Sequence, residues 1–199
     1  MPTISLISFH ILRARVLLPV NATARPPVTR AVRIMTYNIH RAIGVDRRFR
    51  PERIASIASH HDPDVLLLQE VDDNAPRSNR LDLARALADT LGYAYYEVGH
   101  NVRLRQGRYG NATLSRYPIV DARNIDLTID RLKRRGCQFT RIAVPGQNSD
   151  DPALLPVFNL HLGLLAQERA RQIGRLACAP EFAELAAGAP GSPYHDGMR

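Results

Sequence analysis

The chain has 199 residues, 45% of them hydrophobic and 23% charged, with a formal net charge of +8 and a pI of about 10.2. That is the length and balance of one folded domain, and it excludes a disordered or membrane-embedded protein. All 27 basic residues except Lys133 are arginines. Codon usage in a GC-rich genome produces such a skew by itself, so the charge is weak support for a polyanionic partner. Cys137 and Cys178 lack zinc-ligand spacing and read as small buried hydrophobes, which favours a reducing, cytoplasmic compartment.

Residues 3–20 are apolar, but His10, Arg13 and Arg15 interrupt them, so they predict neither a bilayer span nor a signal peptide. With Pro26-Pro27 following, residues 1–31 are expected to form a disordered extension or linker. Val32–Asn38 is the first predicted strand. Pro51 suits a first helical position, and Ile54, Ile57 and Ala58 give an amphipathic stripe that ends at His60. Asp62-Pro63-Asp64 turns into a second strand, Val65–Glu70. After a polar loop, Leu81, Ala84, Leu87, Ala88 and Leu91 mark a helix capped by Gly92.

Tyr93–Val98 and Tyr109–Ser115 read as strands around an arginine-rich loop, His100–Arg108. Ile119–Leu127, Cys137–Val144 and Leu154–His161 continue the β content. Leu165–Ala179 is a predicted helix, and Pro180 opens a Gly/Pro-rich tail over residues 180–199. Elements in this order predict a layered α/β protein with a mixed sheet. Ser192, His195 and Asp196 sit together in the tail, but the glycines and prolines around them cannot hold catalytic geometry.

Three buried strands end in polar residues able to do chemistry. Asn38 closes the first, Glu70 the second and His161 the last. A carboxylate beside an apolar run is costly unless a cation or donor meets it, and magnesium takes one or two carboxylates plus waters and phosphate oxygens. Asn38 offers both a donor and an acceptor, and His161 can donate to a phosphate oxygen. Taken singly, each is more simply a turn or a half-buried polar residue; together they outline a metal and phosphate site. His60-His61 resembles a metal pair, yet adjacent helical residues cannot face one ion. Arg131, Lys133, Arg134 and Arg135 read as a solvated loop, as do Arg103, Arg105 and Arg108.

The words around these residues carry a resemblance. Thr36-Tyr37-Asn38-Ile39-His40, Leu68-Gln69-Glu70-Val71, the run from Tyr109-Gly110-Asn111-Ala112 to Ser115-Arg116-Tyr117-Pro118-Ile119, and Asn159-Leu160-His161-Leu162-Gly163 occur in one order. Over Val32–Ala179 the chain resembles the endonuclease/exonuclease/phosphatase superfamily of metal-dependent phosphohydrolases. The resemblance implies a four-layered α/β/β/α sandwich with two mixed sheets, of which this chain holds the N-terminal part. It implies Glu70 as a ligand of Mg2+ (Mn2+ also serving), and Asn38 at the metal site and on phosphate. His161 becomes a catalytic phosphate contact and Asn111 a substrate contact, while His40 falls where members vary and receives no role.

The implied partner is a phosphate-ester substrate: nucleic acid, phospholipid headgroup or sugar phosphate. Neither a stable protein partner nor a membrane span is expected. The family's Gly-Asp-Phe-Asn strand and its late Asp-His pair, with the general base, do not occur. The chain is therefore expected to be truncated before the C-terminal half. A one-nucleotide shift across Tyr194–Met198 can encode the opening of the missing strand. The enzyme reading is magnesium-dependent hydrolysis of phosphodiesters or phosphomonoesters by the full-length protein; the alternative is an inactive fragment or binding remnant of the same fold.

Overall fold

The computed structural model describes residues 9–14, 31–146 and 152–188. Five strands form sheet I in the order β1 (Phe9–Ala14), β2 (Val32–Asn38), β3 (Val65–Asp73), β5 (Arg108–Ser115), β4 (Tyr95–Arg103). Three form sheet II in the order β6 (Ile119–Asp126), β7 (Gly136–Val144), β8 (Ala153–Leu160). Among the described residues only β2 and β3 pair in parallel, because α1 (Pro51–His61) carries the chain back between them. The other helices are α2 (Leu83–Leu91), α3 (Ala166–Ala177) and α4 (Pro180–Gly188).

Alternation along the strands sorts the side chains into layers. Met35, Tyr37, Leu66, Leu68, Ala112 and Leu114 leave one face of sheet I and pack on Ile54 and Ala58 of α1 and Leu83 and Leu87 of α2. The opposite face sends Val32, Ile34, Val65 and Leu67 against Ile142, Val144 and Val157 of sheet II. On the far side of sheet II, Cys137 meets Leu176 of α3, and Phe158 stacks edgewise on Phe182 of α4 at 5.7 Å. Each buried Leu, Ile or Phe stabilises the fold by roughly 1.5–3 kcal/mol. The mixed α/β expectation is met by two sheets with helices on their outer faces.

Local signals account for the helix ends. Pro51 stands at the first turn of α1, Asp82 caps α2 by accepting the Arg85 N–H at 3.1 Å, and Gly92 ends α2 in the left-handed region. Other elements differ from the expected ones. Within the segment read as an extension, residues 9–14 form β1, antiparallel to β2; the rest of residues 1–30 lies outside the described residues. The expected loop His100–Arg108 is mostly strand, because β4 pairs with β5 as far as Arg103↔Arg108 and turns at Gly107, φ +86°. Residues 180–188 of the expected tail form α4, since Pro180 starts a helix as well as it ends one; residues 189–199, with Ser192, His195 and Asp196, lie outside the described residues. Cys137 is buried as expected, but Cys178 is exposed at the end of α3. Among the described residues no helix is long and apolar enough to cross a membrane.

Candidate active site

The site begins with an irregularity in β3. Between Leu68 and Val71 its register against β5 slips, and Glu70 takes φ +60°. A left-handed conformation costs a non-glycine residue about 1–2 kcal/mol, so packing must hold it. Asn159 does so from sheet II. Its Nδ2 donates to the Leu68 carbonyl at 3.1 Å and to the Ala112 carbonyl at 2.9 Å, acceptors beside the slipped register. Its Oδ1 accepts from Gln69 Nε2 at 2.8 Å, and Gln69 also donates to Thr36 Oγ1 at 3.0 Å. Asn159 is 2% exposed, so the bulge is strapped to sheet II by bonds that water does not reach.

The strapped bulge presents the Glu70 carboxylate to two imidazoles. His40 Nδ1 lies 3.4 Å from one oxygen and His161 Nε2 3.9 Å from the other. Asn38 stands opposite Gln69 in the β2–β3 register, and its Oδ1 accepts the His40 N–H at 3.2 Å. Tyr109 donates its hydroxyl to Glu70. His161 thus stands beside Glu70, and Asn38 is linked to the pair only through His40, while also lining a neighbouring concavity with Ile39 and Ile43. Asn111 does not join them: it is 1% exposed between the sheets, donating from Nδ2 to the carbonyls of Gly136 and Asn159 at 3.2 and 3.0 Å.

The surroundings are cationic. A cavity of about 360 Å³ is lined by His40, Arg41, Glu70, Arg77, Tyr109, Lys133 and Arg134 among others. Burial pushes the Glu70 carboxyl up, but His40, His161, Arg41 and Lys133 together leave it below its ordinary value, so it is ionised at neutral pH. Burial, with Arg135, Lys133 and His40, holds His161 below the usual imidazole range although Glu70 pulls it up, so His161 is neutral there and keeps one donor. Burial raises the Tyr109 phenol, which stays protonated. Arg77 is pinned to buried Asp72 by bonds of 2.8 and 2.7 Å and lies over the Tyr109 ring at 5.4 Å.

Two guanidinium groups have an unsatisfied Nε. The Nε atoms of Arg41 and Arg135 are buried without an acceptor among the described residues, and Arg135 is only 7% exposed. The loop expected to be solvated therefore turns inward at Arg135 and lines the cavity with Lys133 and Arg134, because Leu127 and Arg135 close it by a backbone hydrogen bond of 3.0 Å. Sequence reasoning missed His40, Tyr109, Arg135 and Asn159. The last stands two residues before His161 in a run of polar-in alternation, the one signal that could have marked it.

Among the described residues no three His, Cys, Asp or Glu side chains gather as a metal cluster. What is present is one ionised carboxylate and the Asn38 amide oxygen, hard donors that fit a largely hydrated Mg2+. The arginines around them favour such an ion only together with a phosphate.

A model of the "Endonuclease/Exonuclease/phosphatase family" matches residues 35–187, and the chain belongs to that family. It is 30% identical over 156 residues to the Escherichia coli K12 protein named "Uncharacterized protein YbhP", covering 73% of this chain and 58% of that one. An endonuclease/exonuclease/phosphatase from Beutenbergia cavernae DSM 12333 superposes with a TM-score of 0.60 at 25% identity, over 80% of this chain and 44% of that one. TDP2 from Caenorhabditis elegans shares the fold, with a TM-score of 0.56 at 24% identity over 81% and 44% of the two chains. This chain spans little more than half the length of the curated relative and less than half of these structures.

Proposed function

We propose that the Glu70 cavity binds a phosphate ester together with a hydrated divalent cation and promotes attack of water on phosphorus. The observation that carries this is an ionised Glu70 on a strained, strapped bulge, inside a cavity whose other charges suit an anion. Family membership supports the reaction class.

Glu70 and Asn38 would hold the cation, Mg2+ or Mn2+, which would neutralise phosphate charge and stabilise the leaving oxygen. Asn38 Oδ1 keeps a second lone pair after accepting from His40, and its Nδ2 makes no hydrogen bond among the described residues, so it is available to a phosphoryl oxygen. Neutral His161 donates its one N–H to another oxygen. Arg41 and Arg135 face the same anion, which would satisfy their orphaned Nε atoms. Tyr109 fixes the carboxylate, and Asn111 acts behind the site by tying β5 to sheet II rather than by touching substrate.

A second reading is phosphate binding without turnover. It is favoured by one observation: Glu70 is the single carboxylate among the residues lining the cavity, and it faces both His40 and His161, so none is left over to orient either imidazole as a base once Glu70 holds a cation. Base catalysis is worth about 10²–10⁴-fold. The test is calorimetric titration of inorganic phosphate with and without Mg2+, beside hydrolysis of bis(4-nitrophenyl) phosphate with Mg2+ or EDTA. Hydrolysis lost in EDTA and in Glu70→Gln supports the enzyme. Mg2+-dependent phosphate binding without hydrolysis supports the second reading, and binding indifferent to both Mg2+ and Glu70→Gln refutes both.

A further inference from the structure

The β4–β5 hairpin carries charge that the Glu70 cavity does not use. A groove of about 820 Å³ runs along it, lined by Arg80, Arg103, Arg105, Arg108 and Arg134. Two of the lining residues are already engaged by Asp73: Arg108 lies 2.7 Å from it and His100 2.9 Å. Arg80 donates to Gln106 at 2.8 Å. Arg103, Arg105 and Arg134 make no side-chain hydrogen bond or ion pair among the described residues. Guanidinium groups of one sign gathered in one groove repel each other, and an anion relieves that repulsion.

The groove is continuous with the Glu70 cavity, since Val102, Leu104 and Arg134 line both. Cations therefore form one track, from Arg41 and Lys133, which share the Glu70 carboxylate, past Arg134, to Arg105 and Arg103 at the hairpin tip. A single phosphate fills only the Glu70 end. Resting on the phosphate-ester reading above, we infer that the hairpin groove is a second anion subsite, holding phosphates that flank the reacting one on a nucleic acid strand.

Two features favour a strand over a lipid surface. None of the large apolar side chains that stand exposed lines the groove, and Val102 and Leu104, which do, are half-buried, so it offers little apolar edge to insert. Its arginines line the walls of a concavity, which a chain can follow. No Phe, Tyr or Trp lines it, and the His100 ring is held by Asp73 at 2.9 Å, so recognition is of the backbone, independent of sequence.

The test is fluorescence anisotropy of a 5′-labelled oligothymidylate with the full chain in EDTA, over a series of salt concentrations. Each phosphate neutralised on a single strand contributes about 0.7 to the slope of log K against log salt. Arg103→Ala/Arg105→Ala is expected to flatten the slope by about 1.4 and weaken binding at low salt, while its titration with inorganic phosphate stays as in the unsubstituted protein. Arg103→Lys/Arg105→Lys, which keeps the charge, retains the slope. Circular dichroism melts of both variants establish that they fold. An unchanged slope in the alanine pair overturns the proposal, as does capture of phosphatidylglycerol vesicles without oligothymidylate binding. Failure of the phosphate-ester reading is separate: it appears as loss of Mg2+-dependent phosphate binding with the hairpin slope intact.

Discussion

Asn159→Ala tests whether the bulge is held as described. The substitution removes three buried hydrogen bonds: those to the Leu68 and Ala112 carbonyls and that from Gln69. Gln69 keeps Thr36 and the Leu67 carbonyl as acceptors, so it is not orphaned. The two carbonyls each lose a donor, and a lost hydrogen bond costs about 0.5–1.5 kcal/mol. The expected loss over the three bonds is therefore about 1.5–4.5 kcal/mol, a large part of the roughly 5–15 kcal/mol that holds a domain folded. Asn159→Asp is the sharper variant, because it sets a carboxylate against two carbonyl oxygens. The introduced carboxyl is easier to protonate in the folded state than in the unfolded one, so stability is lost as pH rises from about 4 upward. Urea denaturation across pH measures both. A loss below about 1 kcal/mol for Asn159→Ala, or an Asn159→Asp no weaker than Asn159→Ala at neutral pH, would refute the strap.

Other expectations follow from single observations. Glu70→Gly should be more stable in urea than Glu70→Ala by about 1 kcal/mol, since glycine accepts φ +60° freely; equal stability would mean that the strain is absent. Burial pushes the Cys137 thiol up to about 12, so at pH 8 a thiol reagent should label Cys178 alone and reach Cys137 only in denaturant. Leu164 and Leu165 stand exposed, and Leu164→Ser/Leu165→Ser should reduce the binding of a hydrophobic dye; unchanged fluorescence would move that surface elsewhere. Gly110→Ala should weaken the β4–β5 pairing, because a Cβ there would overlap the Gly99 carbonyl oxygen, and a melt unchanged from the unsubstituted protein would contradict that close approach.

The elements legible in the sequence were the buried ones. β3, β5 and β7 are buried along most of their length and read as apolar runs, so the polar residues that end or interrupt β2, β3 and β8 stand out, and Asn38, Glu70 and His161 were singled out this way. β4 buries little beyond Gly99, and its arginines looked like a loop because nothing in them has the period of a strand. The left-handed Glu70 left no trace at all, since glutamate has no preference that announces it. Nor did the inward turn of Arg135: a run of four basic residues reads as solvated until a neighbouring strand supplies a cavity. Charge was visible as a total; its gathering along one face came from the pairing of β4 with β5 and from the loop before β7.

The slip in β3 ties the site to the counting of residues. Leu66 and Leu68 lie on the helix side of sheet I, and so does Val71, three residues on from Leu68 where regular alternation would ask for an even step. Glu70 is the odd residue that absorbs the difference. Removing any one residue between Leu68 and Val71, or adding one, would make that step even and the strand regularly paired, with no left-handed residue left over to aim the carboxylate. Substitution can tune this site residue by residue, but a change of length cannot. Lineages of this fold that explore new substrates should therefore vary the hairpin and the loop before β7, where insertions leave the count in β3 untouched.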